Sequence, residues 1–350
     1  MKILMLVNWK MHYLAQDRLD IQPPDKLVSG EPYWFFRHWS DVSVHVDVLD
    51  FSYVPGLHTL EKKVIRFYVL QALRALSRAG GYDLIISHGA QSGVVLAALR
   101  RILGRRLPPH VIIDVGCFNG GRERKLELAP IRFAARSLTG IIYHASVQQD
   151  YYCRHLPWLR ARFIPFGVDD EFFQPLGLGT EDYIVAIGRY QRDYHSLIEA
   201  WRMLPETEMR LKILGVSQIQ DELPPGVELV DWMPIDEFKQ VVGRSRFVVL
   251  PLEYRNYAYG QMTLLQSMAM GKAVVVSRVP STVDYVSDGT DAIFVGHGDA
   301  GDLACKINAL WDDPGRAAVL GNAARKTAER FNEAAMAAAV CEFVSDLILS

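Results

Sequence analysis

Short runs of β-branched and aliphatic residues alternate along this chain with stretches whose apolar positions recur every three or four residues. Runs of the first kind, without polar alternation, suit strands buried on both faces of a parallel sheet. The second kind predicts helices packed on that sheet by one face. In the first half the pattern predicts strands at Ile3–Val7, Val42–Leu49, Leu84–Ser87, Val111–Val115 and Gly140–His144. Helices are predicted at Tyr33–Trp39, Leu60–Arg78 and Ser92–Leu103. A second series of strands runs through Tyr183–Ile187, Leu211–Leu214, Glu228–Val230, Phe247–Pro251, Ala273–Val276 and Ala292–Val295. Its helices fall at Tyr194–Trp201, Ile235–Val242, Gly260–Met270 and Leu303–Trp311, and a long alanine-rich stretch follows from Ala317, broken around Phe331-Asn332. The expected class is α/β, with two sheet-centred domains at 1–170 and 171–330 facing a cleft. The segment 331–350 is expected as a closing helix that packs back toward the first domain.

The segment from Phe247 to Ser277 is the most informative. Two strand-like runs flank about three turns of good helix formers, with Gly260 at the start and Gly271 at the C′ position. A helix starting beside a strand's carboxyl end offers free N–H groups and the positive end of its dipole, which suits a phosphate. Its first residues are Gln261, Met262 and Thr263, and Gln266 lies a turn further on. Two glutamines in a helix otherwise built for packing mark a candidate nucleotide site.

A second motif, Ile187-Gly188-Arg189-Tyr-Gln-Arg192, follows the first strand of the second half. Two guanidinium groups delivered by a tight turn at a strand end can neutralise a diphosphate; two loop arginines in solvent are the plain alternative. His88, ending a strand at the expected cleft edge, could contact a sugar or an acceptor, or merely cap its strand. Asp114 has the same ambiguity, and His144 and Ser146 are expected only in the cleft wall. Gly296-His-Gly-Asp-Ala-Gly301 matches GxGxxG, yet no later strand carries the acidic residue a dinucleotide fold requires. Asp299 is better read as a helix N-cap. Asp169-Asp170 and Asp312-Asp313 suit loops and caps, so no metal site is expected.

Composition narrows this picture in three ways. The 350 residues suffice for two cores, and no apolar run approaches the roughly 18 residues of a membrane span. Met1–Val7 is read as a first strand and not as a leader. The four cysteines (Cys117, Cys153, Cys305 and Cys341) are scattered without CxxC spacing, as expected for reduced thiols in a cytoplasmic protein. The net charge of −2 conceals an asymmetry. Through residue 165 there are 22 Lys and Arg against 13 Asp and Glu; beyond it there are 16 against 27. Basic residues cluster at Lys62-Lys63 and Arg66, at Arg74 and Arg78, at Arg100-Arg101 and Arg105-Arg106, and at Arg122 to Lys125. Such a surface could meet anionic lipid or an anionic acceptor, or could be ordinary solvated helix faces. No RNA-binding motif accompanies it, so nucleic acid is not an expected partner.

Taken together, the second half resembles retaining glycosyltransferases of the GT-B fold, the large group called family 4. The resemblance rests on Phe163-Ile-Pro-Phe-Gly-Val-Asp169, on Gly188-Arg189…Arg192…Leu197-Ile-Glu-Ala200, and on Leu250-Pro251…Gly260-Gln…Gln266-Ser-Met-Ala-Met-Gly271. It continues through Val283-Asp-Tyr-Val-Ser-Asp-Gly289 and Asp299…Leu303. It spans roughly 170 residues; the first half matches only through Asp83-Leu-Ile-Ile-Ser-His88 and its strand order.

The resemblance implies two Rossmann-like domains and a nucleotide-diphosphate sugar as donor, with no other cofactor and no metal. Arg189 and Arg192 would take the places of the family's diphosphate-gripping Arg and Lys. Gln266 stands at the second Glu of the family's E-x7-E motif, which binds the ribose. The first Glu, which touches the sugar, falls at Ala258, so this chain has a degenerate motif. Glu253 could replace it only through folding back of the loop 254–257. The expected site is therefore Gly188, Arg189, Arg192, Gly260, Gln261, Met262, Thr263 and Gln266 for the donor, with His88, Arg189 and Arg192 in catalysis. The expected activity is glycosyl transfer to an acceptor hydroxyl with retention, the acceptor being anionic or lipid-linked and the enzyme in peripheral contact with the inner membrane surface. A sugar-nucleotide-binding protein that has lost catalysis stays open as the alternative, given Ala258 and Gln266.

Overall fold

The computed structural model describes residues 1–39, 43–51, 61, 67–104, 106–116, 118, 125–205 and 208–349. Lys62, Lys63, Arg66, Arg105, Arg122, Arg124 and Cys117 lie outside them, as does the start of the strand predicted at Val42. The first half carries β1 (Lys2–Leu6), β2 (His12–Leu14), β3 (Lys26–Val28) and β4 (His45–Leu49), then helix α1 (Val69–Arg78) and β5 (Leu84–His88). Next come α2 (Ala90–Leu103), β6 (His110–Asp114), α3 (Lys125–Ala135), β7 (Gly140–Tyr143), α4 (Gln148–His155) and β8 (Arg160–Phe163). Six of these strands form one parallel sheet in the order β4-β1-β5-β6-β7-β8. The small pair β2-β3 stands beside it.

The second half repeats the plan. Its elements are β9 (Tyr183–Ile187), α5 (Tyr194–Met203), β10 (Arg210–Leu214), β11 (Val227–Val230), α6 (Ile235–Arg244) and β12 (Val248–Leu250). They continue with α7 (Gln261–Ala269), β13 (Val274–Ser277), β14 (Ile293–Val295), α8 (Ala300–Trp311), α9 (Pro314–Arg330) and α10 (Glu333–Leu349). The sheet is again parallel, ordered β11-β10-β9-β12-β13-β14. Both sheets thus reverse strand order once, between β1 and β5 and between β9 and β12. Loops leaving the carboxyl ends of such a pair diverge to opposite faces and leave a crevice.

Aliphatic runs explain the sheets. Ile184 to Ala186 and Val248 to Leu250 are fully buried, because helices cover both faces. Two predicted elements differ in detail. The helix predicted from Leu60 is described only from Val69, where the carboxylate of Glu61 accepts the N–H of Leu70 at 2.9 Å and so closes the helix start. Tyr33–Trp39 narrows to a 3₁₀ turn at Trp34–His38, in which Trp34 holds a φ of +46°. The last stretch breaks at Phe331-Asn332, and α10 then leaves the second sheet. Met336, Val340, Phe343, Val344 and Leu347 pack into the first domain's core with Ile3, Met5 and Ile142. Among the described residues no helix is long and apolar enough to cross a membrane.

Candidate active site

At the β9/β12 crevice the chain does what its glycines require. Gly188 follows β9 with a φ of +114°, and the turn continues through Gln191, itself left-handed at φ +56°. Asp193 then caps α5, accepting from the Ser196 N–H at 3.0 Å and from the Ser196 hydroxyl at 2.7 Å. This turn folds Arg192 back beneath the β9 end. Its guanidinium donates to the Ile187 carbonyl (2.7 Å), the Tyr190 carbonyl (3.0 Å) and the Thr263 hydroxyl (3.2 Å). Burial pulls the Arg192 pKa below the ordinary arginine value, and no carboxylate pairs with it among the described residues. Arg189 is exposed, with its guanidinium over the Tyr190 ring.

Across the crevice, Gly260 precedes α7 in the left-handed region at φ +80°, and no side chain caps the helix. The first N–H groups of α7 therefore remain available to a ligand. Gln261 is buried and donates to the Ser281 carbonyl at 3.2 Å, so it braces the helix start. Met262, Thr263 and Gln266 line a cavity of about 530 Å³. Gly188, Gly215 after β10, and the loop from Asp231 to Pro234 with Phe238 complete the second domain's share of its wall. The first domain closes the opposite side with His12 and the segment around Arg18, Ile21, Gln22 and Asp25.

The acceptor-side residues meet different fates. His88 ends β5 as predicted, but its imidazole is buried between Trp9 and Trp34, at ring separations of 4.9 and 5.4 Å. Neither ring nitrogen has a hydrogen-bond partner. Burial, aided by nearby His144, pushes its pKa down to about 3, so the ring is neutral at physiological pH. His88 does not line the large cavity. Asp114 is fully buried and satisfied: it accepts from the N–H groups of Gly116 and Phe118, from the Gln148 amide and from the Tyr152 hydroxyl. That is a structural hub.

The loop between β12 and α7 faces the first domain. Tyr257 packs over Gly116, where an added Cβ would fall 2.3 Å from its ring, and the Ala258 N–H donates to Gln148 at 3.2 Å. Nearby, the N–H and hydroxyl of Ser146 both donate to Asp284, at 2.7 and 2.6 Å. The Tyr285 hydroxyl donates to the His144 carbonyl at 2.6 Å and accepts from the Phe166 N–H at 2.9 Å. Glu253 is paired with Arg255 at 2.5 Å and is not part of the cavity wall. The loop thus does not bring that carboxylate to the cavity.

Residues 181–313 match the model of the family described as Glycosyl transferases group 1. The match covers 133 of the 350 residues and likens this segment to a glycosyltransferase domain. Around it, the whole chain superposes on sucrose-phosphate synthase from Thermosynechococcus elongatus with a TM-score of 0.74, at 17% identity over 100% of both chains. HepE from Anabaena, solved in complex with UDP-glucose, gives 0.69 at 17% identity over 99% of each chain. A glycosyltransferase from Rickettsia africae gives 0.67 at 14% identity, over 99% of this chain and 98% of its own. These likenesses show the GT-B fold for the entire molecule. No curated protein matches the sequence. In the second domain, the late GxGxxG lies after β14, the last strand of its sheet, and Asp299 caps α8 by accepting from the Asp302 N–H at 2.9 Å.

Sequence reasoning named Gly188, Met262, Thr263 and Gln266, which line the cavity, and Arg192 and Gly260, which do not line it but lie beside it, Arg192 donating to Thr263 and Gly260 preceding α7. It missed Gly215 and the loop 231–234. Gly215 carried a usable signal, because a glycine directly after a buried strand beside the crevice, here at φ +83°, marks a backbone that must turn sharply.

Proposed function

We propose that the protein transfers a glycosyl group from a nucleotide-diphosphate sugar to an acceptor hydroxyl, with retention and without a metal ion. The observation that carries this reading is Arg192: a half-buried guanidinium beside an uncapped helix start, with no carboxylate to balance it among the described residues. A diphosphate supplies that anion. Three of the five guanidinium N–H groups are spent holding the side chain in place, and the rest are left for phosphate oxygens. Gly188 allows close approach of the backbone, Arg189 adds a second cation at the rim, and Gln266 meets the ribose. The base then rests in the apolar end of the cavity, against Met233 and Phe238. HepE holds UDP in a fold of the same architecture, which makes uridine diphosphate the first nucleotide to test.

In the reaction, the acceptor oxygen bonds to the anomeric carbon on the face from which the diphosphate oxygen departs, and the hydroxyl proton passes to that leaving oxygen. Negative charge grows on the leaving oxygen. Arg192 and the N–H groups following Gly260, already oriented, stabilise it where it develops, and exposed Arg189 adds positive charge from the rim. On the acceptor side the reading keeps His88, whose neutral ring has two unused nitrogens at the β5 end. Cys153 and Cys305 carry free thiols, which supports the reading of a reducing, cytoplasmic setting.

Calorimetry with uridine, guanosine, adenosine and thymidine diphosphates tests the donor site. One of them should bind in the micromolar range, and Arg192→Ala should weaken it at least tenfold, as expected for loss of a charge-assisted contact. Unchanged affinity in Arg192→Ala would reject the site. A binding protein without catalysis is the second reading, favoured by Ala258 in place of a glutamate and by Glu253 held to Arg255. Tight donor binding with neither slow donor hydrolysis nor transfer to any acceptor would establish it.

A further inference from the structure

Far from the cavity, the opposite end of the first domain gathers exposed apolar side chains. Strands β6, β7 and β8 begin there, and α2, having started at the cleft, ends there after 14 residues, about 21 Å away at the usual helical rise. Its last turn leaves Ile102 67% and Leu103 53% exposed, and neighbouring α3 leaves Phe133 42% exposed. Trp158, just before β8, is 41% exposed. The end of α10 reaches the same rim, since Leu347 packs against Gly140 at the start of β7 and is followed by exposed Ile348 and Leu349. Scattered apolar residues need no explanation, but a contiguous rim of this kind marks a contact surface.

Cations are laid over these rings. The Arg101 guanidinium lies 5.1 Å from the centre of Phe133, and those of Arg132 and Arg136 lie 5.4 and 5.5 Å from that of Trp158. None of the three forms an ion pair among the described residues. Between Asp83 and Asp150 the only acidic side chain described is Asp114, which is fully buried. Acidic groups return on α10, where exposed Asp346 precedes Leu347 and Glu342 pairs with Arg162 at 2.9 Å. Among the described residues the patch around Phe133 and Trp158 is therefore positive and apolar at once, and its arginines can take an external anion.

We infer that this end of the first domain seats the protein on an anionic phospholipid bilayer. Trp158 and Phe133 would lie at headgroup depth, where amphipathic rings are favoured, and Ile102 and Leu103 just below it. Arg101, Arg132 and Arg136 would meet lipid phosphates, a match of charge that a neutral membrane or an apolar protein surface does not offer. The patch involves no residue of the donor site, so the inference stands apart from the catalytic reading. It also places the cleft about 20 Å above the bilayer. An acceptor must therefore reach the site through solvent or at the tip of a long headgroup.

Vesicle flotation of the full chain tests this. Phosphatidylcholine vesicles containing about 30% phosphatidylglycerol should carry the protein up, pure phosphatidylcholine should not, and raising the salt should release it. Each arginine near a charged surface is worth about fivefold in partitioning, so the triple variant Arg101→Gln, Arg132→Gln, Arg136→Gln should lose on the order of a hundredfold. The pair Trp158→Ser and Phe133→Ser should reduce binding without removing its salt dependence. Circular dichroism and nucleotide binding at the distant cavity should stay at the wild-type level in both, showing that the fold is intact. Equal partitioning to charged and neutral vesicles, or flotation untouched in the arginine variant, would overturn the inference. So would a salt-insensitive dimer that Trp158→Ser dissociates, since the patch would then join two copies of this chain.

Discussion

At the scale of single residues, glycine positions decide where charge can sit. A Cβ on Gly188 would lie 2.5 Å from the Arg192 guanidinium, and the residue's φ of +114° already disfavours any side chain. Gly188→Ala should cost about 1–2 kcal/mol in urea unfolding and at least tenfold in donor affinity by calorimetry. A variant that lost stability while binding normally would separate the turn from the site. Glu333 offers a second test. Burial pushes its pKa up to about 7 despite Arg37, whose Nη2 lies 2.9 Å away but out of line for a hydrogen bond. The unfolded chain releases this proton near 4.5, so the folded protein binds it more tightly. Stability from this group is full below that value, falls as pH rises toward 7, and stays lost above it. Glu333→Gln should match the wild type near pH 4.5 and exceed it at pH 8 by up to about 3 kcal/mol, flattening the thermal unfolding profile between. At this scale Gly188, Arg192 and Gln266 were legible from the motifs that hold them. Trp232, 82% exposed beside the cavity, was not. Nothing in its neighbours is periodic, and a loop residue is placed by the strand and helix that it joins.

Elements were more legible where burial was two-sided. The runs at Tyr183–Ile187 and Val248–Leu250 are unbroken aliphatic text because helices cover both faces. The edge strand Arg160–Phe163 escaped notice, since its residues Arg-Ala-Arg-Phe are only partly buried and carry an edge strand's polar pattern. The pair β2-β3 was missed for the same reason: three residues each give no period to read. Helix α5 depends on its cap. Asp193→Ala removes acceptors for both the Ser196 N–H and the Ser196 hydroxyl, and should cost about 1 kcal/mol by chemical denaturation. Because the same turn positions Arg192, donor affinity should fall with it, while Asp299→Ala on α8, a cap remote from Arg192, should cost similar stability and leave affinity unchanged.

For the whole molecule, the two domains are tied across the crevice by Ser146 to Asp284, by Tyr285 to the His144 carbonyl, and by Gln148 to the Ala258 N–H. No pattern in the sequence pairs these residues, because each lies in a loop or at a helix start more than a hundred positions from its partner. The ties join the two walls of the crevice, and on the proposed function they would restrain its opening around a donor. Asp284→Ala should therefore speed release of nucleotide by stopped-flow measurement, and should weaken donor affinity severalfold without altering the unfolding cooperativity of the second domain.

The placement of α10 bears on how such a chain is made. Its apolar side covers Ile3, Met5 and Ile142, strands that are translated long before it. Between the last strand of the first sheet and the end of this helix the ribosome must add the whole second domain, which takes roughly 10–40 s at ordinary elongation rates. For that interval a sheet face of aliphatic side chains waits without its partner, open to chaperones or to other nascent chains. The first domain is thus begun first and finished last.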